Sequence, residues 1–300
     1  MRCSIIIPTI GRASLERAVR SVLQDGHDAT DCEIIVVNDS GKPLAQQAWL
    51  IDHGIRVIAT SRSGVCMACN AGAAIARGKY LKFLHDDDYL LTGGLAKLLE
   101  VAENSGCVWA IGGSRVVDEL GRVLAEHGDR VIPGNSFALW IADEVVHIDE
   151  CLISRQAFIQ VGGFDPAIKI AEDRDLECRL ALHYEVAGTD RVVACIRVAG
   201  SDGSAFDFAN IAHYWRLIRE RAFDAPDALC RVQDSVETDV VLRGRVCRSY
   251  LNSGVLNLRS GKVWLAGSRF TCSLRLMGWH CLTKQFWLGL LFNKRAMTSS

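Results

Sequence analysis

Three clusters of polar side chains in this sequence each come directly after a short apolar run. The clusters are Pro8-Thr9, Asn38-Asp39 and Asp86-Asp87-Asp88. Apolar runs of this kind predict buried strands, and in an open α/β sheet ligands bind beyond the carboxyl ends of the strands. We therefore expect the three clusters to converge on one crevice.

The last cluster, Asp86, Asp87 and Asp88, is suited to a metal ion. Three consecutive carboxylates repel one another unless a cation or a basic group compensates their charge. Their oxygen atoms suit Mg²⁺ or Mn²⁺, which typically bridge one or two carboxylates to substrate phosphates. A solvated acidic turn is the alternative, but this triplet directly follows the apolar run 80–84. The sequence therefore favours a metal site at this edge of the sheet.

Two other acidic sites allow more than one interpretation. Asp39 either accepts hydrogen bonds from a base or a ribose, or turns the chain after a strand. Glu172 and Asp173 lie at a predicted helix start, where carboxylates commonly interact with the helix dipole. Asp175 can pair with Arg179, four residues further on. The residues alone leave both interpretations of Asp39 open, whereas at Glu172 and Asp173 they favour this structural role over a catalytic one.

The elements that must position these side chains alternate between strand and helix. Strands are predicted at 4–7, 33–37, 56–59, 80–84 and 108–111, and helices at 12–24, 68–77 and 95–102. This alternation predicts an α/β fold, a doubly wound and mainly parallel sheet with helices on both faces.

The pattern changes beyond residue 112. A hairpin is predicted at 115–124, a loop over the site at 128–150, helices at 154–161 and from 171, and a closing strand at 191–198. From about residue 208 the sequence is helical and basic. We therefore place a domain boundary near residue 205, with an α/β domain at 1–205 and a helical region at 206–300.

Composition narrows the choice of partner and compartment. Hydrophobic residues make up 49% and charged residues 23%, and the net charge of −1 gives no global attraction to nucleic acid. We expect a cytoplasmic protein, because the N-terminus lacks the apolar region of a signal peptide and no apolar run approaches the ~20 residues of a membrane span. The twelve cysteines are scattered singly, which predicts free buried thiols. The pair Cys66 and Cys69 lacks the partners of a zinc site.

Six motifs taken together resemble those of glycosyltransferase family 2, in order and in spacing, over about residues 3 to 200. They lie at 4–9, 35–41, 70–72 with 76–80, 83–88, 161–165 and 172–176. The resemblance implies a GT-A type fold, with a Rossmann-like nucleotide-binding half. It also implies transfer of a sugar from a nucleotide diphosphate to an acceptor hydroxyl, with inversion, assisted by Mn²⁺ or Mg²⁺.

The same resemblance assigns roles to single residues. The nucleotide-binding positions it implies are Pro8, Thr9, Arg12, Asp39, Asn70, Asp86 and Asp87. Asp88, together with Asp86, would hold the metal ion. Asp173 matches the general base that takes the proton of the acceptor hydroxyl, and Glu172 is its neighbour.

Three positions depart from the family pattern. Ile10 stands where the family often has Asn, Cys69 where it has Arg, and His85 where it has Asp. We interpret His85 as a spectator rather than a weak extra ligand. Two other functions stay open: a sugar nucleotidyltransferase, for which 8–12 is a poor phosphate loop, and an inactive nucleotide-sugar-binding scaffold. The intact Asp88 argues against the scaffold, as does the proposed base.

The last hundred residues are expected to be helical, and the segment 279–292 is amphipathic and flanked by basic residues. We hypothesise that the tail docks the enzyme on the inner face of a membrane, where a glycan or lipid-linked acceptor would be met. Packing on the catalytic domain, or on a second subunit in a homo-oligomer, are the alternatives. A role in surface polysaccharide synthesis is implied by the family resemblance only.

Overall fold

The structure, a computed structural model, describes residues 1–25, 31–128, 134–142, 146–198 and 208–292. The chain divides into two compact units. The first contains Met1–Gly134 and Val146–Trp215, and the second contains Asn135–Val145 and Arg216–Ser300. The boundary predicted near residue 205 lies outside the described residues, so the division at that point stays a prediction.

The first unit is built around one mixed sheet. Its strands are β1 (Cys3–Thr9), β2 (Cys32–Asn38), β3 (Arg56–Ala59), β4 (Tyr80–Phe83), β5 (Tyr89–Leu90), β6 (Trp109–Val117), β7 (Val123–His127), β8 (Cys151–Ser154) and β9 (Ala187–Arg197). The strand order is β3-β2-β1-β4-β8-β6-β9-β5, and β7 pairs with β6. Strands β1 to β4 are parallel, as predicted, and so are β6 and β9. Strand β8 runs antiparallel to both β4 and β6.

Helices cover this sheet and form the second unit. Those of the first unit are α1 (Leu15–Gln24), α2 (Gln47–Asp52), α3 (Val65–Ile75), α4 (Gly94–Ser105), α6 (Arg155–Gln160) and α7 (Glu172–His183). Helix α8 (Phe208–Asp224) contains the division between the units. Those of the second unit are α5 (Phe137–Ile141), α9 (Ala228–Ser235), α10 (Val240–Arg259), α11 (Val263–Met277) and α12 (Lys284–Leu291). The described residues also form two 3-10 helices, Ile148–Glu150 and Gly278–Leu282.

The parallel half forms because its central strand is apolar on both faces. Ile5, Ile6 and Ile7 of β1 are fully buried between β2 and β4, which is why the strand reads as a continuous apolar run. Helix α3 lies so close to this strand that a Cβ at Gly72 would come within 2.5 Å of the Ile6 side chain. The small residues of α3 therefore set its distance from the sheet.

Strand β8 brings a distant segment to the end of β4. Tyr80 at the start of β4 pairs with Ser154 at the end of β8, so the antiparallel β8 begins at the edge where β4 ends. The 3-10 helix Ile148–Glu150 directly precedes β8. Residues 147–150 consequently lie beside the residues that follow β4.

The predicted hairpin is present, and its first strand is longer than expected. Strands β6 and β7 pair with each other, and the Asp118 side chain accepts hydrogen bonds from the amides of Leu120 and Arg122, each 2.9 Å long. The strand predicted at 108–111 and the first arm of the hairpin are one continuous strand, β6.

In the second unit α10 packs closely against α11 and α12. A Cβ at Gly289 of α12 would lie 1.9 Å from the carbonyl oxygen of Val241, and one at Gly254 would lie 2.5 Å from the ring of Phe270. Buried Arg269 of α11 pairs with Asp224, at 2.5 Å. Among the described residues, no helix is both long and apolar enough to cross a bilayer.

A buried carboxylate joins the amino ends of the parallel strands. Glu33 of β2 is 7% exposed and accepts hydrogen bonds from the Ser4 hydroxyl at 2.7 Å, from Arg56 at 2.8 Å and from the Arg77 amide at 2.7 Å. Burial opposes its ionisation, but these donors outweigh burial and lower the pKa of Glu33 from 4.5 to about 2.

We expect Glu33→Gln to remove a stabilisation that depends on pH. Because the folded-state pKa is depressed, the ionised Glu33 contributes fully above pH 4.5 and its contribution is lost as the pH falls towards 2. The variant should lose up to about 3 kcal/mol of unfolding free energy at neutral pH. Denaturant unfolding at several pH values measures this, and Glu16→Gln on the exposed side of α1 is the control. A loss that stayed constant across the acid range would contradict the assignment.

Candidate functional site

The first and third sequence clusters meet beyond the carboxyl ends of β1 and β4. The Thr9 hydroxyl donates a hydrogen bond of 2.5 Å to one carboxylate oxygen of Asp86, and the Arg12 guanidinium lies 2.5 Å from the other. Asp86 is 1% exposed. Both of its oxygens are thus engaged by protein donors. Asp87 is more open, with its carboxylate 3.7 Å from Arg12.

Asp39, after β2, holds the loop that follows β3. One of its oxygens accepts from the Thr60 hydroxyl at 2.6 Å and the Ser63 amide at 2.8 Å, and the other accepts from the Gly64 amide at 2.8 Å. Although burial opposes ionisation, these hydrogen bonds lower the pKa of Asp39. Residues 60–62 of this loop border an open cleft of about 590 Å³, which Asn38 also lines. Asp39 therefore has a structural role, but it holds a distant loop and not the local turn that the sequence suggested. Its contact with a base or ribose stays a prediction.

Two other predicted nucleotide positions are occupied by contacts within the protein. Pro8 is buried in β1, opposite Val37 of β2. Asn70 of α3 donates to the carbonyl of Phe164 at 2.8 Å and accepts from its amide at 3.0 Å. Both ends of the Asn70 side chain thus bind the chain at Phe164, and its predicted nucleotide contact stays a prediction.

The CxxC pair is part of this packing. Cys66 and Cys69 of α3 are 6% and 3% exposed. Burial raises the pKa of Cys66 to about 12, and that of Cys69 well above its usual value. Since the thiolate is the reactive and metal-binding form, both residues are inert thiols at neutral pH.

Four potential metal ligands gather where β4 ends. One ligand atom from each of His85, Asp88, His147 and Asp149 lies within 4.8 Å of all the others. His85 and Asp88 follow β4, while His147 and Asp149 belong to the segment that β8 brings to the same edge. Asp88 is further fixed by the backbone amide of Arg197, at 2.7 Å.

Asp149 is the centre of this group. It is fully buried, and its Oδ1 accepts a hydrogen bond of 2.7 Å from the His85 amide. Its Oδ2 lies 2.8 Å from Nδ1 of His85 and 2.5 Å from Nδ1 of His147. The buried ammonium of Lys82 donates to its backbone carbonyl. The same carboxylate oxygen thus lies against Nδ1 of both imidazole rings, so Nε2 is the ring nitrogen that either histidine could offer to a ligand.

The charges of the group depend on one another. Burial opposes the imidazolium form, but the Asp149 carboxylate outweighs burial and raises the pKa of His147 to about 9 and that of His85 well above its usual value. The two imidazoles hold the pKa of Asp149 well below its ordinary range, although burial acts against this. Burial, followed by repulsion from Asp149, raises the pKa of Asp88 to about 7.

These donors fit a transition-metal ion. Two imidazoles combined with carboxylates are a mixed nitrogen and oxygen set, whereas Mg²⁺ prefers oxygen alone. The set therefore suits Mn²⁺ better than Mg²⁺. Asp149 resembles the carboxylates that orient a metal-binding histidine through its other ring nitrogen, the one that does not bind the metal. The predicted ligand Asp88 belongs to this group, whereas Asp86 is engaged by Thr9 and Arg12, so its metal role stays a prediction.

Helix α7 presents the second pair of predicted catalytic carboxylates. Glu172 and Asp173 are its first two residues, and Ala171 before them has a left-handed backbone with φ 63°. Such a conformation is uncommon outside glycine and is often found at functional sites. Burial, then repulsion from Asp173, raises the pKa of Glu172, while His85 and His147 act in the opposite sense. The two histidines therefore favour the ionised form of Glu172.

Buried anchors fix the orientation of α7. Arg174 is 1% exposed and its guanidinium lies 4.6 Å from the ring centroid of Trp215. Asp175 pairs with Arg179 at 2.5 Å, as the i,i+4 spacing predicted, and Arg179 also donates to the carbonyl of Gly163 at 2.7 Å. Glu172 and Asp173 are only half-buried, whereas the five residues that follow them, 174–178, are all buried.

Sequence reasoning missed His147 and Asp149, which lie in a segment without a clear pattern. The available signal was a histidine and an aspartate two residues apart, just before the apolar residues 151–153. His85, interpreted as a spectator, belongs to the same group in the structure. No feature of the local sequence indicated that β8 would bring the two segments together.

Comparison with known proteins places these features in one family. The sequence profile of the family described as "Glycosyl transferase family 2" matches residues 4–157, more than half of the chain. An uncharacterized glycosyltransferase of Rickettsia conorii is 23% identical over 210 residues, which are 69% of this chain and 34% of that protein. The chain thus spans about a third of that relative.

A shorter match is more similar. The GalNAc(5)-diNAcBac-PP-undecaprenol beta-1,3-glucosyltransferase of Campylobacter jejuni is 32% identical over 125 residues, 39% of this chain and 40% of that protein. The putative teichuronic acid biosynthesis glycosyltransferase TuaG of Bacillus subtilis is 31% identical over 127 residues, 40% of this chain and 50% of that one.

Solved structures share the fold. TarS residues 1–349 of S. aureus, in complex with UDP-GlcNAc, has a TM-score of 0.65 at 12% identity, covering 92% of each chain. The mannosyltransferase PcManGT of Pyrobaculum calidifontis, in complex with GDP-Man and Mn²⁺, has a TM-score of 0.58 at 16% identity, covering 98% of this chain and 88% of that one. At these identities the likeness shows the fold alone, and it confirms the predicted GT-A type.

We expect His147→Gln and Asp88→Asn each to weaken Mn²⁺ binding, because each removes one donor from the group. The dissociation constant should rise roughly tenfold to hundredfold. Titration calorimetry with Mn²⁺ alone measures it, and His53→Gln, outside the group, is the control. Unchanged affinity in both variants would place the ion elsewhere.

Proposed function

This chain belongs to glycosyltransferase family 2, and we propose that it transfers a hexose from a nucleoside diphosphate to an acceptor hydroxyl, with inversion of configuration and with the help of Mn²⁺. The observation that carries the proposal is the group His85, Asp88, His147 and Asp149 at the end of β4, whose two histidines act on the pKa of Glu172 at the start of α7. The family match and the similarity to proteins bound to UDP-GlcNAc and to GDP-Man support it.

The donor would lie along the carboxyl ends of β1, β2 and β4. Asp39, rigidly held by the loop 60–64, would receive the base or ribose at the carboxylate oxygen that carries only the Gly64 hydrogen bond. Arg12 and Asp87 would flank the diphosphate and the sugar. Asp88 and the two histidines would hold Mn²⁺, which offsets the negative charge of a leaving diphosphate.

Asp173 would accept the proton of the acceptor hydroxyl. Its Oδ1 accepts a hydrogen bond of 2.8 Å from the Arg174 amide, so Oδ2 is the oxygen that faces the acceptor in this proposal. The acceptor oxygen attacks the anomeric carbon as the bond to the diphosphate breaks on the opposite face. A single displacement inverts the configuration, and no covalent intermediate on the protein is needed. Glu172 would position the acceptor beside this base.

The acceptor is proposed to be a glycan or a lipid-linked saccharide in surface polysaccharide synthesis, on the cytoplasmic side of a membrane. Support comes from the similar Campylobacter jejuni and Bacillus subtilis proteins, whose names refer to an undecaprenol-linked saccharide and to teichuronic acid.

The donor class is tested first by thermal stabilisation with a panel of nucleoside diphosphates, with and without Mn²⁺. A ligand at a hundred times its dissociation constant adds roughly 2.7 kcal/mol to the unfolding free energy, which shifts the melting temperature measurably. We expect one nucleotide to stabilise the chain in the presence of Mn²⁺ and to do so much less without it. Absence of a shift with every nucleotide would favour the inactive scaffold.

Asp173→Asn tests the proposed base. We expect turnover to fall by roughly 10²- to 10⁴-fold, because proton acceptance is lost while the shape of the side chain is kept. The Mn²⁺-dependent shift by the nucleotide should persist. Glu185→Gln, an exposed carboxylate just after α7, is the matched control. Full turnover by Asp173→Asn would assign the base to another group, with Glu172 next to be tested.

A further inference from the structure

Charge is divided unequally along the chain. Residues 240–300 contain ten Lys and Arg and no Asp or Glu, a formal net charge of +10. The other 239 residues contain the remaining 24 basic and all 35 acidic residues, a net charge of −11. The overall charge of −1 therefore conceals a strongly basic C-terminal segment.

Two tryptophan side chains of this segment are largely exposed to solvent, in contrast to the tryptophan of the sheet. Trp264 is 94% exposed and Trp279 is 69% exposed, whereas Trp109 of β6 is fully buried. Leu282, in the 3-10 helix that also carries Trp279, is 85% exposed. Large apolar side chains that remain this open commonly mark an interaction surface.

The exposed and buried sides of α11 are opposite faces of one helix. Its buried residues are Ala266, Arg269, Ser273 and Leu276. Trp264, Thr271 and Arg275, spaced by seven and four residues, share the exposed face. Trp279 lies two residues beyond the end of the helix, in the 3-10 helix that follows it. The helix thus packs into its own unit by one side and presents an aromatic and basic side to solvent.

The exposed cations of the segment have no acidic neighbours within it. Arg259, Lys262, Arg275 and Lys284 are all exposed. Arg269, by contrast, is buried against Asp224 and Glu220 of α8. We call the exposed residues of 259–292 the basic tryptophan surface. All of its charged residues are positive, because this segment contains Lys and Arg but no Asp or Glu.

We propose that the basic tryptophan surface binds the face of an anionic lipid bilayer. Tryptophan favours the headgroup level, and anionic lipids attract clustered Lys and Arg. A second copy of the same surface would be repelled, because an isologous contact would bring positive charge onto positive charge. The surface extends the predicted docking tail, 279–300, back to α11 and includes Trp264. This inference concerns where the enzyme works and holds whatever reaction it catalyses.

The test is flotation of the full chain with vesicles of equimolar phosphatidylglycerol and phosphatidylcholine, against vesicles of phosphatidylcholine alone. We expect binding to the anionic vesicles only, weakened when salt is raised from about 0.1 M to about 1 M, where charges are screened over a few ångströms. The double variant Trp264→Ser with Trp279→Ser should reduce binding at least about tenfold, as should Arg275→Glu with Lys284→Glu.

The matched control is Leu120→Ser with Leu124→Ser, which removes exposed apolar side chains, 78% and 60% open, from the hairpin of the first unit. It should bind vesicles as the parent does. All variants should keep the parent melting temperature and the nucleotide-induced shift, so that loss of lipid binding is separated from loss of the proposed activity. The proposal would be overturned if the parent chain did not bind anionic vesicles, or if the tryptophan variant bound them equally well. It would also be overturned if light scattering showed a dimer that the tryptophan variant abolishes.

Discussion

Carboxylates gathered at one edge of a sheet are stable only if each finds a donor or a counter-charge, and this requirement organises the first unit. Asp86 accepts hydrogen bonds from Thr9 and Arg12, and Asp39 accepts them from the loop 60–64. Asp149, fully buried, is met by two imidazoles. Asp88 is the least compensated of these groups, as its pKa of about 7 indicates. A bound cation would add most at this position.

The antiparallel β8 is what makes this compensation available. A purely parallel sheet would supply the edge with the residues after β1, β2 and β4 and nothing else. By starting where β4 ends, β8 adds a histidine and a buried aspartate from some sixty residues further along the chain. Lys82, buried within β4 itself, holds the backbone of the added segment. The contacts that join β8 to β4 therefore both stabilise the sheet and position the residues of the candidate site.

Features that depend on residues close together in the sequence could be predicted, whereas features that depend on contacts between distant segments could not. Apolar runs and turn residues are local signals, and they were sufficient for β1 to β4, the hairpin and the start of α7, while the ordered motifs identified the family. The β4–β8 pairing is long-range and β8 has only four residues, so its pattern merges with that of α6. His147 and Asp149 were missed for this reason. Asp39 illustrates another limit, because its bonds to residues 60–64 depend on a loop whose path no local pattern specifies.

The rotational setting of α7 has a consequence for how the sequence can vary. Arg174 lies against Trp215, and Arg179 donates to the carbonyl oxygens of Val161 and Gly163 outside the helix, so the helix cannot turn about its axis without losing these contacts. One residue inserted or deleted within its first turn would rotate the following side chains by about 100° and exchange Asp173 for a neighbour. Substitutions are absorbed locally, whereas length changes are not. Length polymorphism should therefore be excluded from this turn even where the surrounding loops vary freely.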